Sequence, residues 1–298
     1  TLLKALYAAQ KTVEQFKRGK DTRLDKEILS EKLYWTFQSK SLGSLVKKGS
    51  SALSFAMRSD KNQIFKYSFG SSTTKAVQKI ENTHKKTNSN SIFIPAKEIL
   101  SIMDIILEWR DRYSEFGFED SYVDLARALS PTTKGRNYKS FAEARTNIEA
   151  LIGGRLEYDS DKKEWLFRDN NKRIYDIAMT SEGVKKLSIL DLLLGNHFLS
   201  NESVIIIDEI EANLHPKMIG KFLEVIVKLA QSGIQMFIST HSYFVIKYLY
   251  ILAHKHDMDI PVLSFDDGGC TIGNLKEGMP KNPIIDESIN LYKAELSI

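Results

Sequence analysis

Asp208 and Glu209 stand at the end of an uninterrupted run, Ser203-Val204-Ile205-Ile206-Ile207, and are followed by Ile210-Glu211-Ala212-Asn213-Leu214-His215-Pro216. Two adjacent carboxylates suit phosphoryl chemistry, in which one orients Mg²⁺ and the other serves as a general base toward water. The run that carries them reads as a strand buried on both faces, the pattern of parallel α/β sheets. Such sheets bind ligands beyond the carboxyl ends of their strands. The alternative is a buried strand that ends in a solvated acidic turn. A second run, Ile234-Gln235-Met236-Phe237-Ile238, leads into Ser239-Thr240-His241-Ser242. One helix and two turns fit between Glu209 and His241, which places His241 on a neighbouring strand at the same sheet edge. There it can hydrogen-bond a γ-phosphate or the attacking water; alone, a histidine at a strand end is an ordinary structural residue. A third element, Met179-Thr180-Ser181-Glu182-Gly183, opens a helix with apolar residues at Leu187, Leu190, Leu193 and Leu194. Ser181 is a good N-cap, and a helix start offers free N–H groups to an anion. Gly183 lets a backbone approach closely. An ordinary capped helix reads equally well from this segment alone.

The elements that must position these residues emerge from the periodicity. The spacing predicts a helix over 1–18 ended by Gly19, and a second over 25–37. Strands at 52–58 and 63–68 form a hairpin across the turn-forming 59–62. A loop over 83–90 precedes a strand at 91–94, ended by Pro95. Residues 99–152 are mostly helical, broken at 130–135 and closed by Gly153-Gly154. A small antiparallel meander spans 155–158, 165–168 and 173–177. Helix and buried strand then alternate over 184–199, 203–207, 217–231 and 234–238, with a strand at 261–265 and a C-terminal tail after them. This divides the chain into an N-terminal part of one lobe (1–98), a helical and meander insertion (99–180), a core (181–266) and a tail (267–298). No internal repeat or long heptad pattern is present. With 298 residues the chain can build a sizeable core. It lacks an apolar run long enough to span a bilayer, and its first residues carry no secretory signal pattern. The single cysteine, Cys270, excludes an internal disulfide and fits a reducing cytoplasm. A net charge of +4 allows nucleic-acid binding without arguing for it, and the Lys47-Lys48 and Lys85-Lys86 pairs each read as solvated loops.

Together these segments resemble ATP-binding-cassette ATPases. The Asp208-Glu209 strand resembles the Walker B motif, and Glu211–Pro216 resembles the D-loop of the branch related to RecF, Rad50 and the OLD-type ATPases. Ser239–Ser242 resembles the switch, or H-loop. Residues 180–187 resemble the family signature, with Thr180 and Glu182 departing from its usual leucine and small residue. The phosphate loop G-x-x-x-x-G-K-[ST] is absent, because Gly19-Lys20 is succeeded by Asp21. Thr1-Leu2-Leu3-Lys4-Ala5-Leu6 resembles the start of the helix that such a loop opens in these ATPases. About 30–40 preceding residues ending in Gly-Lys-Ser or Gly-Lys-Thr are therefore expected upstream. Ile94-Pro95-Ala96-Lys97-Glu98 is similar to a segment of small bacterial ATPases of the putative AbiEii-toxin type, with no chemistry assigned to it. Gln38 is a weak candidate for the Q-loop glutamine, and His254-Lys255-His256 lacks a third metal ligand.

The resemblance implies an α/β head: a RecA-like parallel-sheet lobe with antiparallel hairpins and a helical signature lobe. It implies ATP and Mg²⁺ as cofactors and a homodimer that sandwiches two ATP molecules. Asp208 would then orient Mg²⁺ through water, Glu209 polarise the attacking water and His241 hold the γ-phosphate. Ser181 and Gly183 would reach the partner's ATP, with Asn213 and His215 at the dimer seam. Relatives of this kind serve in phage defence beside a nuclease or toxin effector. Nucleic acid is a further partner the resemblance allows; a membrane is not. A fused TOPRIM nuclease is disfavoured by the short segment after His241, although Asp266-Asp267 is a small acidic pair. A non-catalytic, nucleotide-switched scaffold is the alternative function.

Overall fold

A computed structural model describes residues 1–59, 62–87, 89–130, 139–159, 161–162, 164–266 and 269–298. The expected break at 130–135 and the tip of the 59–62 turn lie largely outside these residues, as does Asp267. In chain order the elements are α1 (Leu2–Gln15), α2 (Asp25–Phe37), β1 (Ala52–Arg58), β2 (Ile64–Gly70), β3 (Lys79–Asn82), β4 (Ser91–Ile94), α3 (Met103–Tyr113), α4 (Asp120–Leu129) and α5 (Lys139–Ile152). They continue as β5 (Gly154–Asp159), β6 (Glu164–Asp169), β7 (Ile174–Asp176), α6 (Glu182–Gly195), β8 (Val204–Ile207), α7 (Pro216–Gln231), β9 (Gln235–Ile238), α8 (Tyr243–Lys255), β10 (Pro261–Asp266), β11 (Gly269–Asn274) and α9 (Pro283–Leu296).

The centre is a parallel sheet of order β4-β8-β9, in register Ile94↔Ile207↔Ile238. Side chains alternate across a strand, so the sheet needs cover on both faces. Phe93, Val204 and Ile206 turn to one face, where Tyr7 of α1 packs edge-on against Phe93 with ring centroids 5.6 Å apart. Ile92, Ile94, Ile205 and Ile207 turn to the other and join the main core with residues of α4, α6 and α7. Because Ile206 is fully buried, Ile206→Ala should cost about 2–5 kcal/mol of stability, read from denaturant unfolding curves. The outer edge of β9 carries no further strand among the described residues. Two antiparallel sheets, β1-β2-β3 and β5-β6-β7, and the hairpin β10-β11 complete the architecture, which is the α/β class expected. Among the described residues no helix is long and apolar enough to cross a membrane.

A buried polar network fastens α1 and α2 to the α3–α4 pair. Lys32 Nζ donates to Asp120 at 2.8 Å and to Asp124 at 3.0 Å, Tyr7 Oη donates to Asp124 at 2.7 Å, and Arg110 donates to Asp120 at 2.5 Å. Burial, reinforced by the charge of Asp124, pushes the Tyr7 phenol well above its usual range.

Two expectations need correction. Helix α1 stops at Gln15, short of residue 18, because Lys17 and then Gly19 adopt left-handed backbone (φ 57° and 60°). The C-terminal segment is not a bare tail: β11 pairs with β10, and α9 comes after it with Asn282 as its N-cap.

Candidate functional site

The register sets the site. Pro95, Asp208 and Ser239 each come directly after the last residue of a parallel strand, so they emerge side by side at the carboxyl edge. Main-chain bonds continue the ladder past the strands: Asp208 N–H donates to Ile94 O at 2.9 Å and Ser239 N–H to Ile207 O at 3.0 Å. Ser239 then does something no motif announces. Its hydroxyl donates to Asp208 Oδ1 at 2.5 Å and accepts the Glu209 N–H at 2.9 Å. One side chain from β9's end thereby orients both carboxylate-bearing residues. Glu209 is left-handed (φ 45°), a conformation a non-glycine residue holds only where its surroundings enforce it.

The chain past Glu209 is equally constrained. Ala212 N–H bonds Glu209 O at 2.8 Å, Leu214 N–H bonds Glu211 O at 3.0 Å, and Asn213 is again left-handed (φ 63°). Glu211 Oε1 accepts the main-chain N–H of His241 at 2.7 Å, which ties this turn to the loop after β9. The His241 residue is exposed. His215 is the N-cap of α7, its Nδ1 accepting from Lys217 N–H at 3.2 Å, with Pro216 in the first turn.

Helix α6 approaches from the other side. Ser181 caps it as expected, Oγ accepting the Val184 N–H at 3.3 Å. Gly183 is buried, and a Cβ there would come within 2.7 Å of Asn213 O. What Gly183 admits in this chain is therefore the backbone of the 211–214 turn. Two lysines with buried side chains lie just beyond, one turn into the helix. Lys185 Nζ pairs with Glu182 at 3.0 Å and with Glu98 at 3.4 Å, the last residue of the segment to which the sequence assigned no chemistry. Lys186 Nζ donates to Glu209 O at 2.6 Å.

Burial lowers the Lys186 ammonium to about 8, against the opposing pull of Glu211, Glu209 and Asp208. A free lysine titrates near about 10.4, so between those values the folded chain holds fewer protons than the unfolded one, and stability rises with pH. Below that window the full desolvation cost remains. Urea unfolding at about pH 8 and about pH 10 should show the wild type gaining on Lys186→Met as pH rises. Tyr122 of α4 also lies near the cluster: its phenol is raised first by burial, then by the charges of Glu119 and Asp208.

Asp208 is the one carboxylate on the Ser239 hydroxyl, and no group of three His, Cys, Asp or Glu among the described residues could hold a metal by itself. That donor set fits Mg²⁺, which keeps most of its water and takes one or two carboxylates plus phosphate oxygens. Gln38 is the left-handed C-cap of α2. Residues 254–256 end α8, where His254 Nδ1 meets Tyr250 O.

The chain is similar to an SMC head domain from Thermotoga maritima (16% identity, 76% of this chain and 74% of that one, TM-score 0.38). It is similar to an Smc head with an extended coiled coil, bound to the C-terminal domain of ScpA, from Pyrococcus furiosus (11% identity, 91% and 90%, TM-score 0.45). The ADP conformation of an ATP-binding cassette of an ABC transporter gives 12% identity, 78% coverage of each chain and a TM-score of 0.35. No curated protein matches the chain at a significant level. The family model described as "AAA domain, putative AbiEii toxin, Type IV TA system" matches residues 1–247. That span takes in α1, the Asp208–Glu209 strand, the capped start of α6 and the loop of His241, and the chain belongs to this AAA-domain family.

Proposed function

We propose that this chain is an ATP-binding and ATP-hydrolysing head that closes on a second copy around two ATP molecules and drives or gates a partner effector. The observation that carries the reading is the Asp208–Ser239–Glu209 clamp at the carboxyl edge of a parallel sheet. When bound with ATP, Mg²⁺ would supply neutralisation of phosphate charge. Asp208 presents a carboxylate to the water shell of that ion. Glu209 accepts a proton from the attacking water, and its constrained backbone keeps the carboxylate from drifting. His241 donates a hydrogen bond to the γ-phosphate. Ser181 and Gly183 serve the ATP of the partner copy, and Asn213 and His215 line the seam. The contact between Gly183 and Asn213 supports this grouping, since it gathers the four residues into one neighbourhood. A toxin or nuclease effector and a role in phage defence rest on family resemblance.

The test is ATP turnover by the natural full-length protein with Mg²⁺. His241→Ala should lower kcat by roughly 10²–10³-fold, the usual effect of losing one positioned donor to developing charge. A wild-type protein that binds ATP and shows no turnover would instead be a nucleotide-switched scaffold.

A further inference from the structure

The β1-β2-β3 sheet has two unlike faces. Phe65, Tyr67 and Phe69 turn inward and are buried, with Leu53, Phe55, Met57 and Ile80 packed beside them. The outward positions of β1 are Ala52, Ser54, Ala56 and Arg58, all exposed. Lys66 on β2 and Lys79 on β3 share that outward face. In the strand register Arg58 stands opposite Ile64, Lys66 opposite Ala56, and Lys79 opposite Ser68. The three cations thus form a diagonal row, one per strand, each two residues further along. Diagonal neighbours in a sheet lie about 7–8 Å apart. The exposed pairs Lys47-Lys48 and Lys85-Lys86 flank the sheet.

The charge is concentrated here. Residues 40–90 contain ten Lys or Arg against Asp60 and Glu81, a net +8 in a chain whose total is +4, so the remainder carries −4. Glu81, opposite Lys66, is the one acid on the outward face among the described residues. None of the row's cations is in an ion pair among the described residues. Basic side chains are ordinarily scattered among acids, and a segregated, unpaired set creates a field that draws polyanions.

The surroundings choose between polyanions. Between residues 25 and 101 no large apolar side chain stands exposed among the described residues. A lipid surface is gripped by apolar anchors beside the charges, and single-stranded nucleic acid by aromatic platforms. This face offers neither. The small side chains of Ala52, Ser54 and Ala56 leave room for a rod of phosphates to lie close to the strand. We infer that the outer face of the β1-β2-β3 sheet is a sequence-independent binding surface for the phosphate backbone of duplex nucleic acid.

The probe is a fluorescein-labelled duplex of arbitrary sequence, titrated with the natural full-length protein without nucleotide over about 50–200 mM salt. Affinity should fall steeply with salt. The triple variant Arg58→Glu, Lys66→Glu, Lys79→Glu should bind at least about tenfold more weakly, with a slope of log K against log salt flatter by about 3. The neutral set Arg58→Gln, Lys66→Gln, Lys79→Gln should fall between, and matching circular-dichroism melts exclude misfolding. Reversal of Lys247 and Lys293, which lie outside the sheet, should leave binding at the parent value. Basal ATP turnover should be unchanged in the triple variant, so loss of duplex binding is separable from failure of the ATPase reading. The inference is overturned by absence of binding at about 50 mM salt, by a triple variant that binds like its parent, or by equally strong, equally row-dependent binding to phosphatidylserine vesicles.

Discussion

Glu209→Gln should reduce phosphate release by about 10²–10⁴-fold while leaving ATP binding intact. The amide matches the carboxylate in shape and volume, and the contacts that hold residue 209 are made by its main chain: N–H to Ser239 Oγ, and carbonyl to Ala212 N–H and Lys186 Nζ. None of these is touched by the exchange. The loss therefore reports the missing proton acceptor, not a collapsed site. Phosphate release under saturating ATP and Mg²⁺, paired with nucleotide binding by equilibrium dialysis, separates the two. Turnover at the wild-type rate would reduce Glu209 to a turn residue.

Ser181→Arg should abolish ATP-driven dimerisation and leave nucleotide binding by the single copy unchanged. Ser181 is exposed, and its hydroxyl serves its own helix, accepting from Val184 N–H. Losing such a cap costs only about 1 kcal/mol. The larger effect comes from bulk and extended reach at a helix start that, in the proposed closed dimer, would receive a phosphate from the other copy. In a Glu209→Gln background, which traps the closed state, light scattering with ATP and Mg²⁺ should show dimer for the parent and monomer for the double variant. Equal dimerisation would remove residues 180–187 from the nucleotide interface.

Much of this geometry is legible in the chain because long apolar runs leave few options. Val204–Ile207 is the buried strand its pattern predicts, whereas Gln235–Ile238 forms the expected strand without full burial; two such strands separated by one helix must still bring Asp208 and the Ser239–His241 loop to one edge. Where the residue pattern falls short, the signal is not periodic. Ser239 sits in plain view beside His241, but its grip on Asp208 depends on register to the single residue. Lys186 falls on the buried side of α6, where the pattern calls for leucine, and its partner is a main-chain carbonyl that no motif encodes. Strand β3 is short and polar. Helix α9 is different: Ile285, Ile289, Tyr292 and Leu296 stand at helical spacing and mark it, although none of its residues is buried. Gly183 stands out for the right property, close backbone approach, while the backbone that approaches in this chain is that of Asn213.

The free margin of β9 also bears on how the polypeptide behaves in a test tube. Gln235 is exposed, Met236, Phe237 and Ile238 are only partly covered, none is charged, and on one side their amide and carbonyl groups have no strand to pair with among the described residues. A charge-free margin of this kind templates intermolecular pairing, the route to aggregates. Preparations of this chain should therefore self-associate in a concentration-dependent way, and a lysine at the exposed position 235 would act as a gatekeeper that keeps them dispersed.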